Sequence, residues 1–477
     1  MNSEDVNKLI DEKGESIISR IISDEIRDFN PRAEEMKKFY KRYAGKKTIH
    51  KRANPDKTGL SLNNKISTDY DGLIIDEIVG YLFGHPISRV YSSESETEKL
   101  KIENEIQKFE AINNVEAMDE ETGEFSCLCG YGSRVLYYDK EGNLRVMNSK
   151  PWETVFINSV STDQTQFAFI FYDWEIIDIK SGKVIKTTKV EWYDETNVTY
   201  YIKSGGKFEK ENIEEPDYQN PQPHNFSFVP VIKYRSNNIE QSDLYKVTDL
   251  IDAYDELISD TQNEIQEFVH SYLKTIGAEM SEEERIKARR TRVFNLPDKD
   301  SDVDFITKNI NGDFVQKQKE TLNKNIFLSS KTVDMNDEKF NSGGAESGEA
   351  RKWKLMPLEF KAIKKERKFI EGERYMFKVI ASAWRKKGIE MDYLKLNFIF
   401  TRSLPIDYLY YGSIAEKFRG VISLIDILTL MPFIKNPQEY YDRLKKEEDI
   451  DLDNIPSEEE LEANIKAILK KVNNNSE

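Results

Sequence analysis

The sequence predicts an α+β protein, mainly helical, with one block of antiparallel strands set among long helices. Three observations predict it. Apolar residues recur at helical spacing over much of the chain, as in Leu244, Val247, Ile251, Tyr254 and Ile258. Between residues 133 and 235 that pattern gives way to short β-branched and aromatic runs separated by Gly-containing turns. A Gly- and Ser-rich stretch, Asn336 to Gly348, then leads directly into helix-like sequence reaching about Lys387.

Taken in order, residues 1 to about 45 carry Ile10, Ile17, Ile18, Ile21, Ile22 and Ile26 at helical spacing, and Asn30-Pro31 predicts a break before a second helix. Lys46 to Pro55 reads as a basic loop. Leu73 to Leu82 is an apolar helix stopped by Gly84, with Pro86 beyond it. The runs Arg134 to Tyr138, Phe167 to Tyr172, Lys189 to Tyr193 and Val198 to Ile202 predict an antiparallel sheet. Asp243 to Thr275 reads as one helix, about 50 Å long at 1.5 Å per residue, with an acidic second face. A small insert follows, with a helix at Glu282 to Arg290 and strands at Arg292 to Leu296 and Val303 to Thr307. Asp313 to Val333 reads as a returning helix. In the long helix that ends near Lys387, Pro357 predicts a kink, because it removes a donor and crowds the preceding turn, and Gly372 interrupts the pattern again. Leu394 to Phe400 suits a strand, Ile406 to about Lys446 a helical cap, and Asp449 onward an acidic tail.

Composition limits what such a chain does. Its 477 residues are 38% hydrophobic and 33% charged, which supports packed cores under a highly charged surface. A net charge of -16 argues against wholesale condensation on DNA. Cys127 and Cys129, read as next-but-one positions on a strand, share a face. With no second pair to complete a zinc site, they are expected to be buried reduced thiols suited to a reducing cytosol. The first residues lack the basic and apolar regions of a signal peptide. The longest apolar run, Val421 to Ile434, is too short for a bilayer and carries Asp426 and Pro432, so no membrane partner is expected.

Catalytic patterns are missing in turn. Gly45-Lys46-Lys47-Thr48 is the nearest approach to a phosphate loop, but Tyr40 stands where the first Gly belongs and Lys47 where Ser or Thr belongs. The segment reads as a solvated basic loop. His50, His85, His224 and His270 are scattered, and Asp302 with Asp304 lacks a third carboxylate, so neither a metal nor a cofactor is expected. Ser347 lacks a nucleophile-elbow context. Two basic segments remain. One is Arg285, Lys287, Arg289, Arg290 and Arg292 in the insert. The other is Ala345 to Lys387, with 13 Lys and Arg against 6 Glu. Cationic faces bind phosphate in a salt-dependent way, or pair with the acidic surfaces that dominate the rest of this chain.

The element order, together with Asn63-Asn64-Lys65-Ile66, Val79-Gly80-Tyr81-Leu82-Phe83-Gly84-His85-Pro86 and Ser347-Gly348-Glu349-Ala350, resembles the siphophage-type portal proteins of tailed bacteriophages. The resemblance covers about Arg32 to Lys446. It implies a ring, usually of twelve subunits, at one capsid vertex. Double-stranded DNA passes through its channel, driven in by the terminase and later ejected. It also implies a head-tail connector with no enzymatic activity, a role in nucleating assembly, and contacts with a head-completion adaptor and with major capsid and scaffold proteins. Assembly is expected in the host cytoplasm and the final location in the virion.

The implied regions are a wing at 1–242 and 350–404, a stem helix at 243–275, a clip at 276–311, a returning stem helix at 312–333, a tunnel loop at 334–349, a crown at 405–448 and a tail at 449–477. Lys339, Phe340, Asn341, Ser342, Gly343 and Gly344 then become the DNA-facing loop, touching the duplex sterically or through weak polar contacts. The five basic residues of the insert become a partner-binding surface. Asp252, Asp255, Asp260, Glu264 and Glu267 become candidates for the channel wall. The competing reading, an oligomeric helical scaffold or adaptor without a DNA channel, predicts sustained heptads through Asp243 to Thr275, and the apolar stripe drifts at Thr261 and Gln262.

Overall fold

The computed structural model describes the chain except residues 55–61, 178–183, 213–218, 270–271, 277–280, 292–301, 307–311, 335–352, 404–407, 432–433, 435–436, 439 and 442–477. It divides into two compact units, Met1–Ser403 and Leu404–Glu477.

The first unit begins with α1 (Ser3–Lys13), which ends at Gly14 with φ 71°, and α2 (Ile18–Tyr43). The break therefore falls at residues 14–17 and not at Asn30-Pro31. Pro31 sits inside α2 and forfeits one backbone hydrogen bond. The helix continues because its apolar face is buried on both sides of that point, through Ile18, Ile21 and Ile22 before it and Ala33, Met36 and Phe39 after it. Next come α3 (Tyr70–Phe83), β1 (Ser88–Tyr91), α4 (Glu96–Asn113) and α5 (Val115–Cys129). Cys127 and Cys129 are both buried and reduced. They lie on α5 and not on a strand, so two positions apart points them to different sides.

The strands expected between 133 and 235 are present as two sheets. β2 (Tyr131–Tyr138), β3 (Leu144–Ser149) and β10 (Val231–Arg235) make an antiparallel sheet in the order β10-β2-β3. The larger sheet holds β4 (Thr154–Asn158), β5 (Thr165–Ile177), β6 (Val184–Tyr193), β7 (Asn197–Ser204) and β8 (Lys207–Lys210) in sequence order, with β9 (Gln222–Pro223) on β7. Successive side chains of β5 alternate faces, and both faces are covered. Phe167 and Phe169 pack with Trp192, Ile18, Ile21 and Ile22 under α1 and α2. Ala168 and Ile170 pack with Val135, Val229 and Val231 of the other sheet and its approach.

The remaining elements of this unit are α6 (Thr248–Val269), β11 (Tyr272–Ile276), α7 (Glu282–Thr291), β12 (Asp302–Ile306), α8 (Gly312–Ser330), α9 (Met356–Lys386) and β13 (Leu396–Ile399), which pairs antiparallel with β1. Gly372 does not interrupt α9. A Cβ there would lie 2.6 Å from the Tyr234 ring, so the missing side chain is what lets α9 press against β10. The next residue, Glu373, is fully buried and joins distant elements. Its carboxylate accepts from Arg89 Nε at 2.8 Å and from the Tyr234 hydroxyl at 2.9 Å, and it pairs with Arg134 at 3.4 Å. Asp119 of α5 meets Arg89 and Arg134 at 2.8 Å each. Four charges taken out of water are tolerated because each has opposite-charge partners on two sides.

The second unit contains α10 (Tyr408–Phe418) and α11 (Leu424–Thr429), the latter capped by Ser423, whose side chain accepts from the Asp426 N–H. The expected helical cap at 406–446 is thus two short helices among the described residues. The acidic tail lies outside them.

Candidate functional site

α6, α8 and the hairpin between them form one structural arm. Tyr70 packs edge-on against Tyr254 of α6 and Phe327 of α8, which places the start of one helix beside the end of the other. β11 and β12 pair antiparallel from Tyr272–Ile306 to Ile276–Asp302. The helices therefore run in opposite directions and the hairpin closes their shared end. The helix expected to reach Thr275 stops at Val269, and its 22 residues span about 33 Å. The sequence Tyr272 to Ile276 prefers an extended partner strand over a last helical turn, since its aromatic and branched side chains suit a pleated surface.

Among the described residues the insert has the helix expected at 282–290 and the strand expected at 303–307, and that strand pairs with 272–276, which the helical pattern assigns to the preceding helix. The expected strand at 292–296 lies outside the described residues. Arg285, Lys287, Arg289 and Arg290 all lie on α7, with Lys287 and Arg290 exposed, and Arg292 lies outside the described residues. A capping box starts this helix: Ser281 Oγ accepts from the Glu284 N–H, and the Glu284 carboxylate accepts from the Ser281 N–H at 2.9 Å. That carboxyl is held below its usual range by the Ser281 backbone and hydroxyl.

An extended strap, residues 63–69, lies along α6. Asn64 donates to Asn263 and Gln266, the Ile66 N–H donates to Ser259 Oγ at 3.0 Å, and Thr68 donates from its N–H and hydroxyl to Asp255 Oδ1 at 2.8 and 2.6 Å. The spacing has a simple cause. Two residues of extended chain rise about 6.6 Å and four residues of helix about 6 Å, so residues 64, 66 and 68 stay in register with 263, 259 and 255.

The strap corrects part of the expected channel wall. Asp255 is 1% exposed and serves as the strap's acceptor. Asp252 pairs with Arg42 at 2.6 Å. Asp260 is about half exposed and pairs with Arg52 at 2.6 Å. The outward line of α6 is Asp249, Ala253, Glu256 and Asp260. Glu264 is half-buried, and the Glu267 side chain lies outside the described residues. Lys47, expected to be solvated, is 2% exposed and pairs with Asp71, which also takes Arg42 at 2.9 Å. Basic residues 42 and 47 are thus interior counter-ions for Asp71 of α3, and Arg42 joins that pair to Asp252 at the base of α6.

At the other end of the arm, α8 meets α9. Asp243, buried just before α6, pairs with Lys361 and Lys365 at 3.0 and 2.9 Å. Together these two lysines hold its carboxyl below the usual range against the opposing effect of burial. Lys361 also donates to the Ser330 carbonyl at 3.0 Å. Pro357 lies in the first turn of α9 and not in a helix interior. Its missing N–H is one that a first turn leaves without an intrahelical acceptor, and residues 353–354 just before it are also helical, with a turn at Leu355 between. Lys339, Phe340, Asn341, Ser342, Gly343 and Gly344 lie outside the described residues, as does Ser347. The outward line of α9 carries Lys364, Arg367 and Arg374 with Glu371. Among the described residues no group of three or more His, Cys, Asp or Glu is arranged to hold a metal, and no helix is long and apolar enough to cross a membrane.

A family model described as "Phage portal protein, SPP1 Gp6-like" matches residues 22–451. The chain belongs to this portal protein family. It is 26% identical to the portal protein of Bacillus phage SPP1, in a match covering 94% of this chain and 90% of that one. It is 24% identical to the portal protein of Clostridium phage phiCD119, covering 81% and 85% respectively. Portal proteins are structural components of the phage and not enzymes.

Several residues that organise this portal chain carry weak sequence signals. Asn63-Asn64 stands out as a motif, but its partner helix lies some 200 positions away. Glu77 follows exposed Asp76 in a largely apolar helix, so sequence alone does not mark it as the carboxylate with an internal partner. Lys361 and Lys365 disappear into a generally basic segment.

Proposed function

We propose that this chain is the subunit of a ring, of twelve copies, at a single capsid vertex. Double-stranded DNA passes through the ring's channel, packaged by the terminase motor and later ejected. In this reading α6 and α8 are the stem, and β11, α7 and β12 form the clip. The basic residues Arg285, Lys287, Arg289, Arg290 and Arg292 belong to the surface that meets the terminase and then the head-completion adaptor. Residues 334–349 are the tunnel loop, and 405–448 the crown. The ring also nucleates the shell with major capsid and scaffold proteins and joins head to tail in the virion.

The family match over residues 22–451 carries this reading, because it spans every one of those elements. The physical character of the chain supports it. Transport requires contacts that break at every step, and a surface of net charge -16 around a loop of Asn, Ser and Gly offers the duplex no strong phosphate grip. The acidic outward line of α6 would repel a duplex and keep it centred.

Native mass measurement with negative-stain imaging tests the assembly. Rings of counted subunits are expected. A chain that remains monomeric under all conditions, including with capsid and scaffold proteins present, removes the proposal.

A further inference from the structure

The chain does not leave α8 along the helix axis; it doubles back. Lys331 takes a left-handed conformation with φ 58°, and the Thr332 N–H returns to the Phe327 carbonyl. Asp334 then accepts from Asn323 Nδ2 at 2.9 Å. Asn323 lies seven residues before the end of α8, so the chain has retraced about 10 Å of the helix.

Side chains from two other helices hold this reversal. Glu77 of α3 accepts the Val333 N–H, with oxygens at 3.0 and 3.3 Å. Tyr70 of α3 donates to Asn323 Oδ1 at 2.5 Å. Lys361 of α9 takes the Ser330 carbonyl, one of the last-turn acceptors a helix leaves open, while its charge is balanced by Asp243. Burial raises the Glu77 carboxyl to about 7, Asp334 pushes the same way, and the Val333 N–H and Lys361 oppose them. A carboxylate is a costly way to fill a largely apolar helix. What it supplies here is an acceptor for one particular backbone N–H.

We propose that Glu77, Asn323 and Lys361 are positioning residues that fix where the segment 335–352 departs from α8, and thereby how the tunnel loop is presented to the duplex. This rests on the reading of 334–349 as the tunnel loop, with residues 339–344 facing DNA. The three groups act on the backbone at 330–334 and need no contact with DNA themselves.

The test uses complete rings in a DNA-packaging assay, with Glu77→Ala, Glu77→Gln and Asn323→Ala. Rings of Asn341→Cys protein carrying a spin label report the spread of distances between loops, and the native thiols Cys127 and Cys129 are buried. Glu77→Ala and Asn323→Ala are expected to assemble, to package severalfold more slowly and to broaden the distance distribution. Glu77→Gln keeps a carbonyl acceptor and is expected to package normally. Wild-type packaging or unchanged distances in both alanine variants overturns the proposal, as does a Gln variant as defective as Ala. A deletion of Ser342 to Ala345 separates the two readings. If the deletion packages normally, the DNA-facing assignment has failed. If it is defective while the alanine variants are normal, only the positioning proposal has failed.

Discussion

Asn64 donates to a single oxygen, Oδ1 of Asn263, from both its backbone N–H and its side-chain amide, at 2.9 and 2.7 Å. That doubled contact fastens one end of the strap to α6, and the same amide reaches Gln266. The strap holds mainly through polar rungs, so its attachment depends on a few identifiable atoms.

Asn64→Ala is expected to cost about 1–3 kcal/mol, because half-buried Gln266 loses its Asn64 donor and Asn263 keeps only the backbone one. Hydrogen exchange is the direct measurement: the amides of Asn64, Ile66 and Thr68 should exchange faster, while those of the β5–β6 core stay protected.

Gly372→Ala is expected to destabilise the subunit by about 1–3 kcal/mol although Ala is the better helix former by roughly 1 kcal/mol. The new Cβ meets the Tyr234 ring at 2.6 Å, and that ring is itself fully buried. Urea unfolding of the variant should show a lower midpoint with an unchanged slope. A raised midpoint would mean that α9 and β10 separate at little cost.

Glu373→Gln is expected to cost about 3–5 kcal/mol. It leaves Arg89 and Arg134 in the interior with one anionic partner fewer. Chemical denaturation against the wild-type subunit measures the loss, and Asp119 should then become indispensable to folding.

Glu77→Gln is expected to change the pH dependence of stability. The Glu77 carboxyl is raised by burial to about 7 in the folded chain, against an ordinary value near 4.5. Its folded pKa lies above its unfolded one, so its contribution is fully present below about 4.5 and is lost as pH rises through 7. The Gln variant lacks this slope. It should gain about 1–2 kcal/mol on the wild type between pH 5 and pH 8, once solvent screening of this half-buried group is discounted. Equal slopes in the two proteins would place the carboxyl in a solvated setting.

The sequence made most helices and the main sheet legible because their faces are periodic. α3 with its Gly84 stop, the strands from Arg134 to Ile202 and the helix of the insert all follow local rules. The errors came where tertiary contact overrides local chemistry. Pro31 predicts a break that buried Ile22 and Met36 overrule, and Gly372 predicts an interruption that is instead a packing contact. Lys47 looks solvated until Asp71 arrives from another helix. The acidic face of α6 was visible, but which carboxylates face outward depends on a strap far away in the chain. No local pattern could tell Asp255 from Glu256.

Glu373 also sets a schedule. Arg89 waits 284 positions for its carboxylate, and Arg134 waits 239. At ribosomal speeds of about 5–20 residues per second, that is roughly 12–60 s during which two arginines destined for the interior have incomplete partners. The sheets cannot close finally on α5 until α9 has emerged. A chain cut short before residue 373 leaves both arginines one carboxylate short, with Asp119 shared between them. Truncation before Glu373 is thus expected to leave the first unit incompletely folded, however much of the sheet region has already been made.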